Sequence, residues 1–598
     1  MGRFLITTAD ERSWKFEEPV LFLGEWCLLY DRKQKWEAMD VMVATAFGVQ
    51  EKQKHAKYVY ALYPKLLNEV IEQLNKLHHT NHGLRYWGIL LGGWLQRYLE
   101  VMFNRYFTIR HVLKNYEINS TTVFESIDYS FATPDSLSFI WACNNDIWNN
   151  MLYARVFKHL DIKDVKLNTI HIKNEESLNL EPGSAATNYL SIKWLIKLIT
   201  RYILPKLSKG NDAFIINSYL PKWQEMKLQL ALGQCPQLWQ APPLNAVSID
   251  IEMRRKFMIS SQLHTGFEKF VRDLLPDMIP TCYLEGYADL NNQVKSLPWP
   301  SRPRFIFTCN NFDTDEIFKA WTGLKAEQGV PYFTGQHGNH YGTHYLYGCF
   351  SRPERSEADK FFTWGWSDGS ANNIPAFIFK IANQSGVAKT DGGLLLIEFC
   401  APHLLGFDTT YYEFGIYQEQ QYRFVEALPE KIKREVTVRL HAGWRSMRWS
   451  DDRRWNDRIP SVQIEYGNAP IQALIAKSRL VVYSYDSTGI LEGLALNIPT
   501  LCFLSGGLEH LLPNAKPYYE LLRGAGIIAD SPEQAAIHIA QHWDNIDEWW
   551  KSEFVQSARK QFCDQYAIVE RYPVQTLKRL LTNAELAERV KKNLLEKH

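Results

Sequence analysis

Along this chain, short β-branched and aliphatic runs alternate with longer stretches in which apolar residues return every three to four positions. Arg3 to Thr8, Asp212 to Leu220, Arg304 to Cys309, Pro331 to Thr334, Gly393 to Phe399, Glu435 to His441, Ser461 to Glu465, Leu480 to Tyr483 and Thr500 to Phe503 read as strands. Leu21 opens another, and Gly24-Glu25-Trp26 marks its end. The helical period runs through residues 55–118, 130–163, 185–204 and 531–569; Tyr58, Leu62, Leu66, Val70, Ile71 and Leu74 share one face. Trp87 to Phe107 reads as a core helix, interrupted by Arg97, Glu100 and Arg105. Asp313 or Thr314 caps a helix to Lys325, Tyr411 to Leu428 forms another, and Lys578 to His598 is a mixed-charge amphipathic helix.

Strands alternating with helices imply α/β architecture, with parallel sheets covered on both faces. Ligands in such sheets sit outside the carboxyl ends of the strands. Residues 367–392, rich in Ser, Asn, Gly and Asp, read as a linker between two α/β halves. The divisions expected are 1–375 with helical insertions, 376–545, and C-terminal helices 546–598 packing back on the first part.

Composition narrows the function classes. The 598 residues exceed what one hydrophobic core usually serves. A net charge of +1 offers no field for nucleic acid or an anionic membrane. Nine cysteines, none in a C-x-x-C pair, fit reduced thiols in a cytosolic protein. The N-terminal apolar run is too short for a signal peptide, and no run of about 18 apolar residues suggests a membrane span.

The richest segment is Arg479 to Phe503, which reads as strand, polar turn, helix, turn and strand. Ser484, Asp486, Ser487 and Thr488 crowd the strand's end, and Ser487 or Thr488 can cap the helix. Its free amides and dipole suit a phosphate. Glu492, one turn on, can accept from ribose hydroxyls. No glycine fingerprint of a dinucleotide or P-loop site is present. Arg439 and His441 end a neighbouring strand, within reach of a phosphate. The Arg/Trp-rich stretch after them fits one anionic nucleotide better than nucleic acid, because Asp451, Asp452 and Asp457 dilute its charge.

A second segment, Gly335-Gln-His-Gly-Asn-His-Tyr-Gly342, follows a strand. Its glycines let the backbone turn and approach a ligand, leaving Gln336 and His337 to point into a cleft, with Gly338 and Tyr341 as further contacts. His337, His340 and His344 raise a metal site, but the glycines break any helix that would align them. Glu25, Glu285 and His337 are candidates for a proton acceptor or nucleophile.

Phe22-Leu-Gly-Glu-Trp-Cys27, Tyr283-Leu-Glu-Gly286, Gly335-Gln-His-Gly338, Thr363-Trp-Gly-Trp366, Gly443-Trp444 and Ser487-Thr-Gly-Ile-Leu-Glu492 carry a resemblance over nearly the whole chain. Together they resemble a bacterial family of surface-polysaccharide transferases, similar in turn to capsule and O-antigen Kdo transferases. The resemblance implies a GT-B-like fold of two facing Rossmann-like domains, acceptor side first and donor side second. It implies a CMP-activated acidic sugar, of Kdo or nonulosonic type, passed to a glycan or glycolipid acceptor. The CMP-sugar is then a substrate; no cofactor, metal or nucleic acid is called for. Work in the cytoplasm follows, with room for peripheral inner-membrane contact. Arg439, His441, Ser484, Ser487, Thr488 and Glu492 fall on the donor side; the His-Pro pair common in such enzymes is His441-Ala442 here. An epimerase-like sugar-nucleotide enzyme and a non-catalytic carbohydrate-binding protein of envelope assembly are the alternatives.

Overall fold

The computed structural model describes residues 2–45, 47–126, 131–173, 207–259, 262–348, 352–386, 388–389, 391–400 and 414–583. The expected helix at 185–204, the start of the one at 411–428 and residues 584–598 lie outside them.

Sixteen described strands form three sheets, every strand pair parallel. The first holds β1 (Arg3–Ile6), β2 (Val20–Phe22), β3 (Val41–Val43), β4 (Ile118–Glu125) and β5 (Lys166–His171), in the order β3-β2-β1-β4-β5. The second holds β6 (Phe214–Ile215), β7 (Ile306–Thr308), β8 (Tyr332–Gly335), β9 (Lys360–Thr363) and β10 (Asn373–Pro375), side by side in sequence order. The third holds β11 (Gly393–Ile397), β12 (Val436–Arg439), β13 (Gln463–Glu465), β14 (Ser478–Tyr483), β15 (Thr500–Phe503) and β16 (Ile528–Ala529). Its order, β13-β12-β11-β14-β15-β16, is doubly wound, with the direction of winding reversing between β11 and β14.

The α/β class with parallel sheets expected from the sequence holds, with one difference: the N-terminal half spreads its strands over two sheets. The pattern hid this. β4 reads Ile-Asn-Ser-Thr-Thr-Val-Phe-Glu and β5 reads Lys-Leu-Asn-Thr-Ile-His, so their polar positions look like loop, yet Thr121 and Thr122 are buried. The expected linker also holds β10 and a short turn of helix at Phe379–Ile381. Asp315, rather than Asp313 or Thr314, caps the helix Glu316–Glu327, accepting from the Phe318 amide at 3.0 Å.

Two long helices, Val49–His78 and Leu84–Asn115, pack on each other and form the core of the N-terminal half. The second is apolar nearly all round and is buried accordingly: Trp87, Trp94, Tyr98 and Leu99 have no exposed surface. In the third sheet Leu394, Leu396, Leu480 and Val482 are equally inaccessible, as expected of strands covered on both faces.

The chain passes between the second and third sheets twice at one place. After β10 it leaves through Ile378, and it returns through Ile568. The Ile378 amide donates to the Ile568 carbonyl, and the Ile568 amide donates to the Trp364 carbonyl, each at 3.0 Å. The helix Pro573–Thr582 then lays Val574, Leu577 and Leu581 into the cluster around Leu228, Phe307 and Phe333 on the second sheet.

Candidate functional site

The reversal point of the third sheet opens a crevice of about 350 Å³. β14 ends at Tyr483, and Ser487 caps the helix Thr488–Ala495, its Oγ accepting from the Gly489 amide at 3.0 Å. Tyr483, Tyr485, Ile471, Ile475 and Leu496 supply an apolar slot. Ser487, Thr488, Arg439 and Glu492 supply the polar side. Arg439 lies 3.7 Å from Glu465, and its Nε has no hydrogen-bond partner among the described residues. Glu492 is paired with Lys380 at 2.8 Å. A flat ring fits the slot, and an anion fits the helix start beside Arg439.

The loop after β8 closes on this crevice from the other half. The Asn339 amide donates to Thr488 Oγ1 at 3.0 Å, Asn339 Nδ2 donates to Asp486 Oδ1 at 2.8 Å, and His340 Nε2 meets the Asp486 carbonyl at 2.7 Å. His340 holds φ at 81°, a left-handed conformation uncommon for a side-chain-bearing residue, and its bond to Asp486 helps fix it there. A Cβ on Gly338 would sit 3.3 Å from Thr488 Oγ1, so glycine permits the approach. Asp486 is buried, which alone would raise its pKa. His510 at 3.3 Å, Tyr519 at 3.0 Å and the nearby His340 outweigh that and hold its carboxyl below its ordinary value.

His337 turns the opposite way, into a cavity of about 270 Å³ between the helix Leu84–Asn115 and residues 310–357. Its Nδ1 lies 3.3 Å from the Tyr341 hydroxyl, which donates to Glu354 Oε1 at 2.9 Å. Burial lowers the His337 pKa despite the charges of Glu354 and Asp313. Burial thus favours the neutral imidazole of His337, the form a proton acceptor needs. Burial, then the Glu354 charge, pushes the Tyr341 phenol far up.

Four expected site residues have other duties. Gln336 is a strut: its Oε1 accepts from the Trp364 amide at 3.0 Å and Trp366 Nε1 at 2.8 Å, and its Nε2 donates to the Gly338 carbonyl. Ser484 is fully buried against the Tyr417 hydroxyl at 2.7 Å and does not line the crevice. His441 is exposed, with Nδ1 accepting from the Gly443 amide. Glu285 does not face a groove: its carboxylate forms a two-pronged pair with Arg254 at 2.6 and 2.9 Å, at 3% and 0% side-chain exposure.

Glu25 sits beyond β2, in a short turn of helix rather than at a strand end, and accepts from the Gly415 amide across the halves at 2.5 Å. Burial raises its pKa, partly offset by that bond and by Arg454. Glu25 does not line the cavity that His337 faces. Among the described residues no cluster of three His, Cys, Asp or Glu is arranged to hold a metal.

Lys380, Tyr483 and Tyr485 in the crevice, and Arg97, Glu100, Arg352 and Glu354 around the cavity, are not among the site residues expected from the sequence, which names Asp486 at the strand's end without giving it a role. A signal existed for two of them. Arg97 and Glu100 interrupt an apolar helix, and both line the cavity.

Among solved structures, the wall teichoic acid polymerase TagF is 12% identical, covering 67% of this chain and 93% of its own, with a TM-score of 0.34. The spinosyn rhamnosyltransferase SpnG with spinosyn aglycone is 14% identical, covering 50% and 77%, with a TM-score of 0.28. No curated protein matches the sequence. The profile of one protein family does match, over residues 3–581. The chain belongs to the LIC12162 family of transferases.

Proposed function

We propose that this transferase moves a sugar from a nucleotide-activated donor to a glycan or glycolipid acceptor. The donor on this reading is a CMP-activated acidic sugar of Kdo or nonulosonic type. The observation that carries the proposal is the crevice at the start of the helix Thr488–Ala495. It combines an apolar, tyrosine-walled slot, a helix N-terminus, a guanidinium with an unpartnered Nε, and a carboxylate one turn on. On this reading the base lies among Tyr483, Tyr485 and Leu496, the phosphate meets the Ser487/Thr488 helix start and Arg439, and Glu492 accepts from a ribose hydroxyl.

The chemistry follows from those positions. As the sugar carbon leaves phosphate, the bonding pair passes to the phosphate oxygen, where the helix amides and Arg439 stabilise the growing charge. The acceptor hydroxyl bonds to the sugar carbon and gives up its proton. His337 and Glu25 are the two groups offered for that proton: burial favours the neutral imidazole of His337, whereas Glu25 accepts only as its carboxylate, which the Gly415 amide and Arg454 favour against burial. Glu285 is not offered, because Arg254 occupies it.

The test supplies CMP-Kdo and other nucleotide sugars together with glycan acceptors and measures released nucleotide. Nucleotide release that depends on an acceptor supports the proposal. Sugar interconversion without release, or binding without either, overturns it.

A further inference from the structure

We propose that the cavity between the helix Leu84–Asn115 and residues 310–357 binds a single neutral, hydroxyl-rich sugar ring. That this sugar is the acceptor of the transfer rests on the glycosyltransferase reading; the binding itself does not.

The first observation is a glycine that nothing else accounts for. Gly88, Gly92 and Gly93 lie in the interior of one helix, where glycine is destabilising relative to alanine. Two have packing reasons. A Cβ on Gly88 would come within 2.7 Å of the Glu357 carboxyl carbon, and one on Gly92 within 2.7 Å of the Tyr63 hydroxyl. A Cβ on Gly93 would meet nothing within 4 Å, although Gly93 lines the cavity. The missing side chain leaves space open.

The second observation is how that space is lined. Arg97 pairs with Asp313 at 2.8 Å, and Arg352 lies 3.9 Å from Glu100 and 4.2 Å above the Tyr347 ring. Arg97 Nη1 and Arg352 Nε are buried with no hydrogen-bond partner among the described residues. Buried guanidinium N–H groups call for acceptors, and sugar hydroxyls can accept from them while donating to the neighbouring carboxylates. Aromatic faces beside such pairs suit the C–H faces of a sugar.

Charge and size narrow the class. Arg97 and Arg352 face four carboxyl groups, those of Glu100, Asp313, Glu354 and Glu357, so a second anion is disfavoured. A volume of about 270 Å³ lies just under the range of drug-sized pockets, roughly 300–1,000 Å³, and matches one ring rather than a chain.

The test uses the full chain without any donor, so it stands apart from whether nucleotide sugars are turned over. Methyl β-glucoside, glucuronic acid and glucosamine are each offered at a concentration on the order of 10 mM, in the weak-binding range, and binding is read by saturation-transfer NMR. Wild type is expected to bind methyl β-glucoside more strongly than glucuronic acid. In the series Gly93→Ala, Gly93→Val and Gly93→Leu, binding should survive in the alanine variant. It should fall roughly tenfold or more in the leucine variant as the side chain fills the space. If Gly93→Leu does not fold, Gly93→Val carries the comparison. No signal from any sugar, an unchanged signal in the bulky variants, or stronger binding of glucuronic acid overturns the proposal.

Discussion

Thr488 Oγ1 accepts the backbone N–H of Asn339 at 3.0 Å, joining the first turn of a helix in one half of the chain to a glycine-rich loop in the other. The same hydroxyl lines the crevice offered to the donor. Thr488→Val keeps the shape and removes the acceptor, leaving the Asn339 amide unpaired at a cost of about 1–3 kcal/mol. CMP affinity by calorimetry should fall about tenfold, or about 1.4 kcal/mol. Thr488→Ser should restore most of it. Equal affinity in all three proteins would count against the donor assignment.

Asp486 is the hub beneath that contact. Asp486→Asn turns an N–H group towards Tyr519 and Asn339, which already donate, and should cost about 2–4 kcal/mol. Because the folded carboxyl is held below its ordinary 3.8, its stabilising contribution is present above that pH and lost as pH falls through the lowered value. Acid unfolding followed by tryptophan fluorescence should therefore begin at higher pH in the variant.

Asp451 behaves in the opposite sense. Burial pushes its carboxyl up to about 6, while the Gln418 amide, donating at 2.6 Å, and the Arg454 charge pull it down. Buried Glu398, bonded to Trp455 Nε1 at 2.9 Å, is pushed up too, with the Asp451 charge contributing after burial. A raised carboxyl pKa means that the folded state binds more protons than the unfolded one between 3.8 and about 6, so stability declines as pH rises through that window. The difference corresponds to about 3 kcal/mol at most. Asp451→Asn should raise the melting temperature at pH 7–8 and leave it unchanged below pH 4. A variant less stable at pH 8 would contradict this.

Two glutamates should separate cleanly. Glu285→Gln breaks a buried ion pair and is expected to destabilise the chain by about 3–5 kcal/mol, seen as a lower melting temperature. Glu25→Gln retains an oxygen for the Gly415 amide and should melt near wild type. If Glu25 takes the acceptor proton, turnover with a CMP-sugar should drop on the order of 10²-fold with donor binding kept. Unchanged turnover leaves His337 as the group to replace.

The crevice was legible because its information is local. Strand, cap, helix and carboxylate lie within one short stretch, and Ser487, Thr488 and Glu492 line the space their spacing implied. Partners distant in sequence were not legible. Glu285 is claimed by Arg254, 31 positions earlier, Gln336 by Trp364 and Trp366, 28 and 30 positions later, and Ser484 by Tyr417, 67 positions earlier. A polar residue at a strand end looks the same in sequence whether it faces ligand or holds a distant tryptophan. The division of the first half into two sheets was hidden for a related reason, since Thr121 and Thr122 fill buried strand positions with residues that also suit loops.

The double passage at Ile378 and Ile568 makes the connection between the second and third sheets redundant. One cut in the stretch between β10 and β11 would leave the returning strand of chain, its hydrogen bonds to Trp364 and Ile378, and the seated Val574–Leu581 helix holding the pieces together. The seam is one fastening among several: Asn339 is tied to Thr488 and Glu25 to the Gly415 amide, so the two halves are held at separate places along the chain.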